Sequence, residues 1–231
     1  MENNKLKLTG KYIITGKIKC ETGLHIGGSK TALDIGGIDL NVIKTAAAVP
    51  YIPGSSLKGK LRSLLAKEGG YLDPKQDSDI IKEIFGDSPS KDNDGKITRL
   101  IVRDSFLDNK VDMESKDKEF TDLELEYTES KWENTIDRKS GTAGSPRQIE
   151  RVPVGAIFSF ELVYNIYDDN KKGVHLTEIK KALNLLKDDY LGGSGSRGYG
   201  KISLNKLEAE EKTIENYKTG SKGSLKEFKL S

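Results

Sequence analysis

Cysteine occurs once in the 231 residues, as Cys20, and histidine twice, as His25 and His175. One thiol excludes an internal disulfide framework and a cysteine-rich zinc site. Two histidines give little support to a two-histidine acid–base ribonuclease. No apolar run approaches the roughly 18–20 residues that span a bilayer as a helix, so no membrane association is expected. The opening Met1-Glu2-Asn3-Asn4-Lys5 has no apolar stretch behind it, and no secretory leader is expected either. These absences point to the cytoplasm. An excess of charge of either sign is also missing: the formal net charge is +2, which alone argues neither for nor against a nucleic-acid partner.

What is present suits a globular chain with a wet surface, since 35% of residues are hydrophobic and 32% charged. The length allows one large domain with insertions. The charge is unevenly spread: residues 1–68 sum to +6, residues 69–137 to −9 and residues 138–231 to +5. Two basic ends flanking an acidic middle fit a polyanion held by the ends, with the middle facing elsewhere. A patchwork of solvated faces would look the same.

Along the chain, residues 10–20 alternate polar and apolar as a strand. Residues 21–54 are loop-like, punctuated by glycine and proline. A helix follows Pro53-Gly54, with Ser55 or Ser56 as N-cap and Leu57, Leu61, Leu64 and Leu65 on one face. A second short helix covers Asp79 to Phe85. Ile97 to Phe106 reads as a strand, 107–130 as a charged, exposed excursion, and 137–150 as a long loop or hairpin. Ala156 to Tyr167 alternates as a strand, Leu176 to Leu186 is an amphipathic helix, Gly192 to Gly200 is a glycine-rich loop, and Lys201 to Ala209 is the last core strand. The polar tail from Glu210 is expected to fray. Without its insertions, at about 69–96 and 107–150, the order approaches β-α-β-β-α-β. This predicts an α+β fold on the ferredoxin-like plan that also underlies the RNA-recognition module.

Four motifs could carry chemistry. Gly193-Ser194-Gly195-Ser196-Arg197-Gly198-Tyr199-Gly200 matches G-x-G-x-x-G, but a helix precedes it and a strand follows, the reverse of a dinucleotide fingerprint. What remains is a loop whose glycines allow close backbone approach and leave amides for phosphate, with Arg197 as a cationic fork; a plain flexible connector is the alternative. In the second motif, Pro53 to Arg62, a helix N-terminus adds its amides and dipole to the Ser55 and Ser56 hydroxyls and to Lys58, Lys60 and Arg62. Lys58 and Arg62 are i, i+4 and share a face. It falls short of a P-loop because Leu61 stands where a magnesium-binding hydroxyl belongs; an ordinary capped helix with a basic face is the alternative. Third, Leu33-Asp34-Ile35-Gly36-Gly37-Ile38-Asp39 would place Asp34 opposite Asp39 if Gly-Gly turns a hairpin. Like charges so placed need a cation or solvent between them, so either a divalent-metal site or a solvated loop is open. Fourth, His25 among glycines reads equally as a base, a phosphate contact or a packed ring.

Several stretches resemble a known family: Gly23-Leu24-His25-Ile26-Gly27-Gly28, Gly37-Ile38-Asp39, Ile52 to Gly59, Glu133 to Arg138, Pro146 to Arg151 and Gly192 to Lys201. They are similar, in order, to the RAMP superfamily and more specifically to the backbone subunit of the Csm (type III-A) CRISPR effector complex. The resemblance implies a single RAMP domain, an RRM-like palm with inserted fingers and a thumb hairpin within 125–150. It implies copies stacked in a filament along a CRISPR guide RNA beside other Csm subunits, and metal-dependent cutting of complementary target RNA at regular intervals, with Mg²⁺ or another divalent ion. The family's catalytic aspartate falls on Asp39, which is also the candidate metal ligand; Asp34 is not required by the pattern. Expected RNA contacts are His25, Ser55, Ser56, Lys58, Lys60, Arg62, Arg138, Arg147, Arg151, Gly193, Gly195, Arg197, Gly198 and Tyr199. Two rival readings are a non-catalytic guide-binding scaffold and a metal-independent guide-processing ribonuclease using His25.

Overall fold

A thirteen-residue alternation makes the spine of the fold. In the computed structural model, which describes residues 6–28, 38, 40–87, 89, 95–116 and 118–230, β1 runs from Leu8 to Cys20. Ile14, Ile18 and Cys20 on one face are fully buried, while Lys11, Thr15 and Lys17 face the other way. The elements that follow are β2 (Tyr51–Ile52), α1 (Gly54–Glu68), α2 (Asp79–Phe85), β3 (Leu100–Val102), β4 (Ser105–Leu107) and α3 (Lys110–Glu114). Then come β5 (Glu129–Ile136), β6 (Ala143–Arg151), β7 (Ile157–Tyr167), α4 (Lys172–Asp188), β8 (Ile202–Thr213), α5 (Ile214–Thr219) and β9 (Ser224–Glu227).

The large sheet has the order β2-β4-β7-β1-β8-β9, with β3 also on β7. All its pairings are antiparallel. Leu57, Leu61, Leu64 and Leu65 of α1 and Ile179, Ala182, Leu183 and Leu186 of α4 meet Ile14, Ile18, Phe158, Phe160 and Leu162 in one core. Each such aliphatic side chain contributes about 1.5–3 kcal/mol by leaving water. The opposite face of the sheet is mostly polar, with Lys11 donating to Asn165 and Lys17 to Ser159. Among the described residues no helix is long and apolar enough to cross a membrane.

Several local expectations change. The N-cap of α1 is Pro53, not Ser55 or Ser56, because the Gly54 amide is taken by the Asp104 carboxylate at 2.7 Å. The strand expected over 97–106 is two: it breaks at Arg103-Asp104, where Asp104 turns to that amide. The 107–130 stretch is less exposed than its charge suggests, since Met113, Phe120, Leu123 and Tyr127 are buried in the core. The chain after Glu210 is ordered. β8 continues to Thr213, β9 returns along it, and Phe228, 3% exposed, sits near Tyr12 and under Lys180.

A buried polar knot joins α2, β7 and α4. His175 is 1% exposed. Its Nδ1 lies 2.8 Å from the Tyr164 hydroxyl and its Nε2 3.2 Å from Glu83, which also accepts from Lys171. The ring satisfies both neighbours by donating from Nε2 to Glu83 and accepting from Tyr164 at Nδ1. Arg99 grips Asp169 through two nitrogens alongside.

Candidate nucleic-acid interface

Three segments that sequence reading singled out separately converge. The Gly193 amide donates to the His25 carbonyl at 2.8 Å and the Gly200 amide to that of Gly23 at 2.9 Å, while Leu24 and Val152 exchange two backbone bonds. This seats the glycine-rich loop on the 23–26 turn and that turn on the end of β6. The glycines serve close packing. A Cβ at Gly195 would stand 2.0 Å from the Tyr190 ring, and one at Gly23 would meet the Arg151 side chain at 2.4 Å. The expectation that the loop leaves its amides for phosphate is corrected for part of the loop. The amides of Leu191, Gly193, Arg197, Gly198 and Gly200 are all used within the protein, those of Arg197 and Gly198 in a short turn that needs φ of +85° at Gly198.

The β5–β6 hairpin lays a charged face against this loop. In register, Glu129 opposes Arg151, Lys131 opposes Ile149 and Glu133 opposes Arg147. Glu129 accepts from Arg151 at 2.7 Å. Glu133 accepts from Arg197 of the loop at 2.8 Å and pairs with Arg147 at 3.6 Å. Tyr199, 1% exposed, packs beneath Lys131 and Arg151, whose charges lie 4.7 and 5.2 Å from its ring centre. Burial first, and Glu133 second, push its phenol up to about 12. Arg138 is exposed at the hairpin turn, a turn tied by Asp137, which accepts from the Lys139 and Ser140 amides. On the other face of β5, Trp132 is 65% and Ile136 66% exposed.

The start of α1 is less open to phosphate than its sequence implies. Asp104 already occupies its first amide. Arg62 is bound to buried Asp77 at 2.7 Å and to the Gly86 carbonyl. Lys60 lies 3.3 Å from Asp189 and 3.6 Å over the Tyr190 ring, bringing the helix to the edge of the glycine-rich loop. Lys58 makes no ion pair among the described residues. Burial first and neighbouring Arg62 second hold its ammonium below the ordinary lysine value, and the two do share a face as expected. Ser55 is exposed and Ser56 half-buried on the first turn.

Asp34 and Asp39 lie outside the described residues, but the segment just after Asp39 is firmly placed. The Leu40 carbonyl accepts from the Glu150 amide at 3.0 Å. The Glu150 carboxylate, 2% exposed, takes the Val42 amide at 2.8 Å, the Thr128 hydroxyl at 2.6 Å and Lys44 at 2.5 Å. Burial alone would raise this carboxyl, yet those donors hold it below the usual range. The Glu150 carbonyl also accepts from His25 Nδ1 at 2.7 Å. His25, 8% exposed, is therefore a packed ring wedged between loop and hairpin. Among the described residues no group of three or more His, Cys, Asp or Glu could hold a metal.

Sequence reading missed Glu133, Lys131 and Glu150 as members of this site. The alternation Glu129, Lys131, Glu133 against Arg147 and Arg151 carried the signal, but it needs the hairpin register to be read. Glu150 gave no signal beyond its neighbours.

The sequence profile of the RAMP superfamily matches residues 17–203. The chain is 49% identical over 205 residues to the CRISPR system Cms endoribonuclease Csm3 of Streptococcus thermophilus, covering 86% of this chain and 89% of that one. It is 44% identical to the Csm3 of the same description from Methanocaldococcus jannaschii, covering 98% and 90%. Among solved structures it resembles a chain of a Csm3–Csm4 subcomplex in the type III-A CRISPR-Cas interference complex. That match has a TM-score of 0.63 at 32% identity and covers 97% of this chain and 92% of the other.

Proposed function

The chain belongs to the RAMP superfamily and, within it, to the Csm3 proteins, and from that premise we propose that it is the RNA-binding backbone subunit of a cytoplasmic Csm effector complex and its target-cutting endoribonuclease. The observation that carries the RNA-binding part is the convergence of Arg147, Arg151, Arg197, Lys131 and Tyr199 where the hairpin meets the glycine-rich loop. Cations that bind backbone position RNA without reading its sequence. Specificity then falls to pairing between guide and target.

We read the core β4-β7-β1-β8, with α1 and α4 between its strands, as an RRM-like, ferredoxin-like palm within one RAMP domain. The β5–β6 hairpin is its thumb. The open sheet face differs from that of an RNA-recognition module, which stacks bases on aromatics: β1 and β7 carry mostly lysine, serine, asparagine and glutamate there, and the exposed Phe106, stacked on Tyr51, lies to their side on β4. A further exposed aromatic is Trp132 on the thumb. Copies of the chain lying side by side along one guide, beside other Csm subunits, suit backbone contacts that repeat without regard to sequence.

For cleavage, the target ribose 2′-hydroxyl attacks the adjacent phosphate, closing a 2′,3′-cyclic phosphate as the bond from phosphorus to the next nucleotide's 5′-oxygen breaks and that oxygen takes up a proton. Asp39 takes the hydroxyl proton or helps hold a divalent ion, with Asp34 as a second carboxylate only if both are needed. Prying a target nucleotide out of its stack with the thumb lets the hydroxyl approach in line, at a cost of about a few kcal/mol. An ion such as Mg²⁺, commonly bound through one or two carboxylates and the substrate's own phosphates, would neutralise charge building on the phosphate oxygens. The test is cleavage of guide-matched RNA by the whole complex. Asp39→Ala and Asp39→Asn should abolish cutting and leave target binding near wild type, and chelation by EDTA should stop the wild type. Wild-type cutting by Asp39→Ala would return the chain to a guide-binding scaffold. EDTA-resistant cutting would remove the metal.

A further inference from the structure

The guanidinium groups at the hairpin–loop junction are already occupied by a carboxylate. Glu133 touches Arg197 at 2.8 Å and Arg147 at 3.6 Å, and its side chain is only 11% exposed. One carboxylate oxygen, Oε2, set between two guanidinium groups occupies the place that a non-bridging phosphate oxygen would take. Beside this carboxylate lies the Tyr199 hydroxyl, buried and without a hydrogen-bond partner among the described residues. A buried donor left unmade is costly. The two groups already perturb each other: burial would raise the Glu133 carboxyl, but the Tyr199 hydroxyl, directed at it from just outside hydrogen-bond geometry, together with Arg197 and Lys131 holds it below the usual range. The same junction thus holds cations suited to RNA, an anion seated on them, and an unused donor next to that anion.

A phosphate cannot reach Arg197 while Glu133 stays on it without placing two anions on one guanidinium. We propose that Glu133 is an internal stand-in for an RNA phosphate: it holds Arg197 and Arg147 when RNA is absent, and moves to the Tyr199 hydroxyl when a backbone phosphate takes its place. This rests on the RNA-binding reading above and adds a regulatory part to it. Each arriving phosphate must displace an equal charge, so the junction restrains adventitious RNA. Without RNA, the Glu133–Arg197 pair straps the hairpin to the glycine-rich loop. Because the displaced carboxylate has a donor waiting, the exchange conserves hydrogen bonds and is readily reversed.

The test measures binding of a labelled, unstructured single-stranded RNA to the purified full chain by fluorescence anisotropy over a salt series. Glu133→Gln should tighten binding about five-fold near physiological salt, since it removes a competing charge from the site. It should also steepen the salt dependence by about 0.7, the increment for one more phosphate contact on a single strand. Tyr199→Phe should weaken binding about three-fold by removing the second seat of the carboxylate, and should have no effect in the Glu133→Gln background. Arg197→Ala should weaken binding and cancel most of the gain from Glu133→Gln. Glu178→Gln on α4, far along the chain from the junction, controls for net charge.

The proposal is overturned if Glu133→Gln matches Glu178→Gln, or if it weakens binding, which would make Glu133 a brace for Arg197. It is also overturned if Tyr199→Phe costs the same in both backgrounds, which would place the hydroxyl on RNA directly. If the wild type does not bind RNA, or if Arg197→Ala binds as well as wild type, the interface reading itself fails. Trp132 is the only tryptophan and sits one residue from Glu133, so its emission reports whether the hairpin of each variant is intact. Should Glu133→Gln disturb it, Glu133→Asp, which keeps the charge one methylene short of Arg197, should show the same tightening in smaller measure.

Discussion

The pairing of β1 with β7 and the pairing of β5 with β6 are both long antiparallel ladders, yet they are held by different physics. Along β7, Phe158, Phe160, Leu162 and Tyr164 are at most 3% exposed and lie over the same core as α1 and α4. Along β5, exposure rises toward the turn, and the cross-strand partners are Glu129 with Arg151 and Glu133 with Arg147. Ion pairs with a partner as accessible as Arg147 or Glu129 are worth about 0–1 kcal/mol each, well below what a packed strand gains. The palm therefore owns the stability and the hairpin owns the chemistry of contact. The hairpin displays Trp132 and Ile136, apolar surface that a folding domain would normally hide.

The largest effect that would break this division is Leu61→Ala in α1, where the side chain is fully buried. It should lower unfolding free energy by about 2–5 kcal/mol, read from urea denaturation, and RNA binding should fall only as far as the folded fraction falls. Trp132→Ala sharpens the opposite case. Unfolding should stay within about 0.5 kcal/mol of wild type, while affinity for RNA in the assembled complex should drop by about 1–3 kcal/mol if one base stacks on the indole. A Trp132→Ala variant that unfolds more easily and binds normally would reverse the assignment of the two regions.

Acid should separate them as well. Burial first and Arg99 second depress the His175 imidazole below its ordinary 6.5. The unfolded chain thus takes up that proton before the folded one does, and palm stability falls as pH drops below about 6.5. Glu150 is depressed below its ordinary 4.5, so the hairpin junction keeps its contribution above that value and loses it as pH falls further. Hydrogen exchange followed from pH 7 to 4 should show α4 and β7 loosening before residues 40–44; the reverse order would contradict the assignment of either group. The smallest effect belongs to Lys58→Ala. It should leave stability unchanged within about 0.5 kcal/mol and flatten the salt dependence of RNA binding by about 0.7 if the ammonium meets one phosphate.

Periodicity made the palm legible and left most of the site unread. The boundaries of α2 came directly from Asp79 to Gly86, and β1 and β7 from their alternation. The break between β3 and β4 was not legible, because it is made by Asp104 reaching a helix start fifty residues earlier. Met113, Phe120, Leu123 and Tyr127 were hidden by the charges around them and by irregular spacing. At the site, the glycine-rich motifs picked out His25 and Arg197 and the family resemblance added Tyr199, but their meeting point is a product of the glycine-rich loop's packing. Arg62 looked like a phosphate ligand because nothing local reveals Asp77, which satisfies it from the loop before α2.

Glu150 gives the hairpin a mechanical character. One buried carboxylate near the root of a stiff two-stranded arm grips Val42, Lys44 and Thr128, while its own backbone holds Leu40 and His25. An arm anchored at its root pivots there. A sideways push on the turn at Asp137–Thr142 arrives as torque about Glu150, and the first things that torque can move are the segment from Leu40 to Lys44 and the ring of His25.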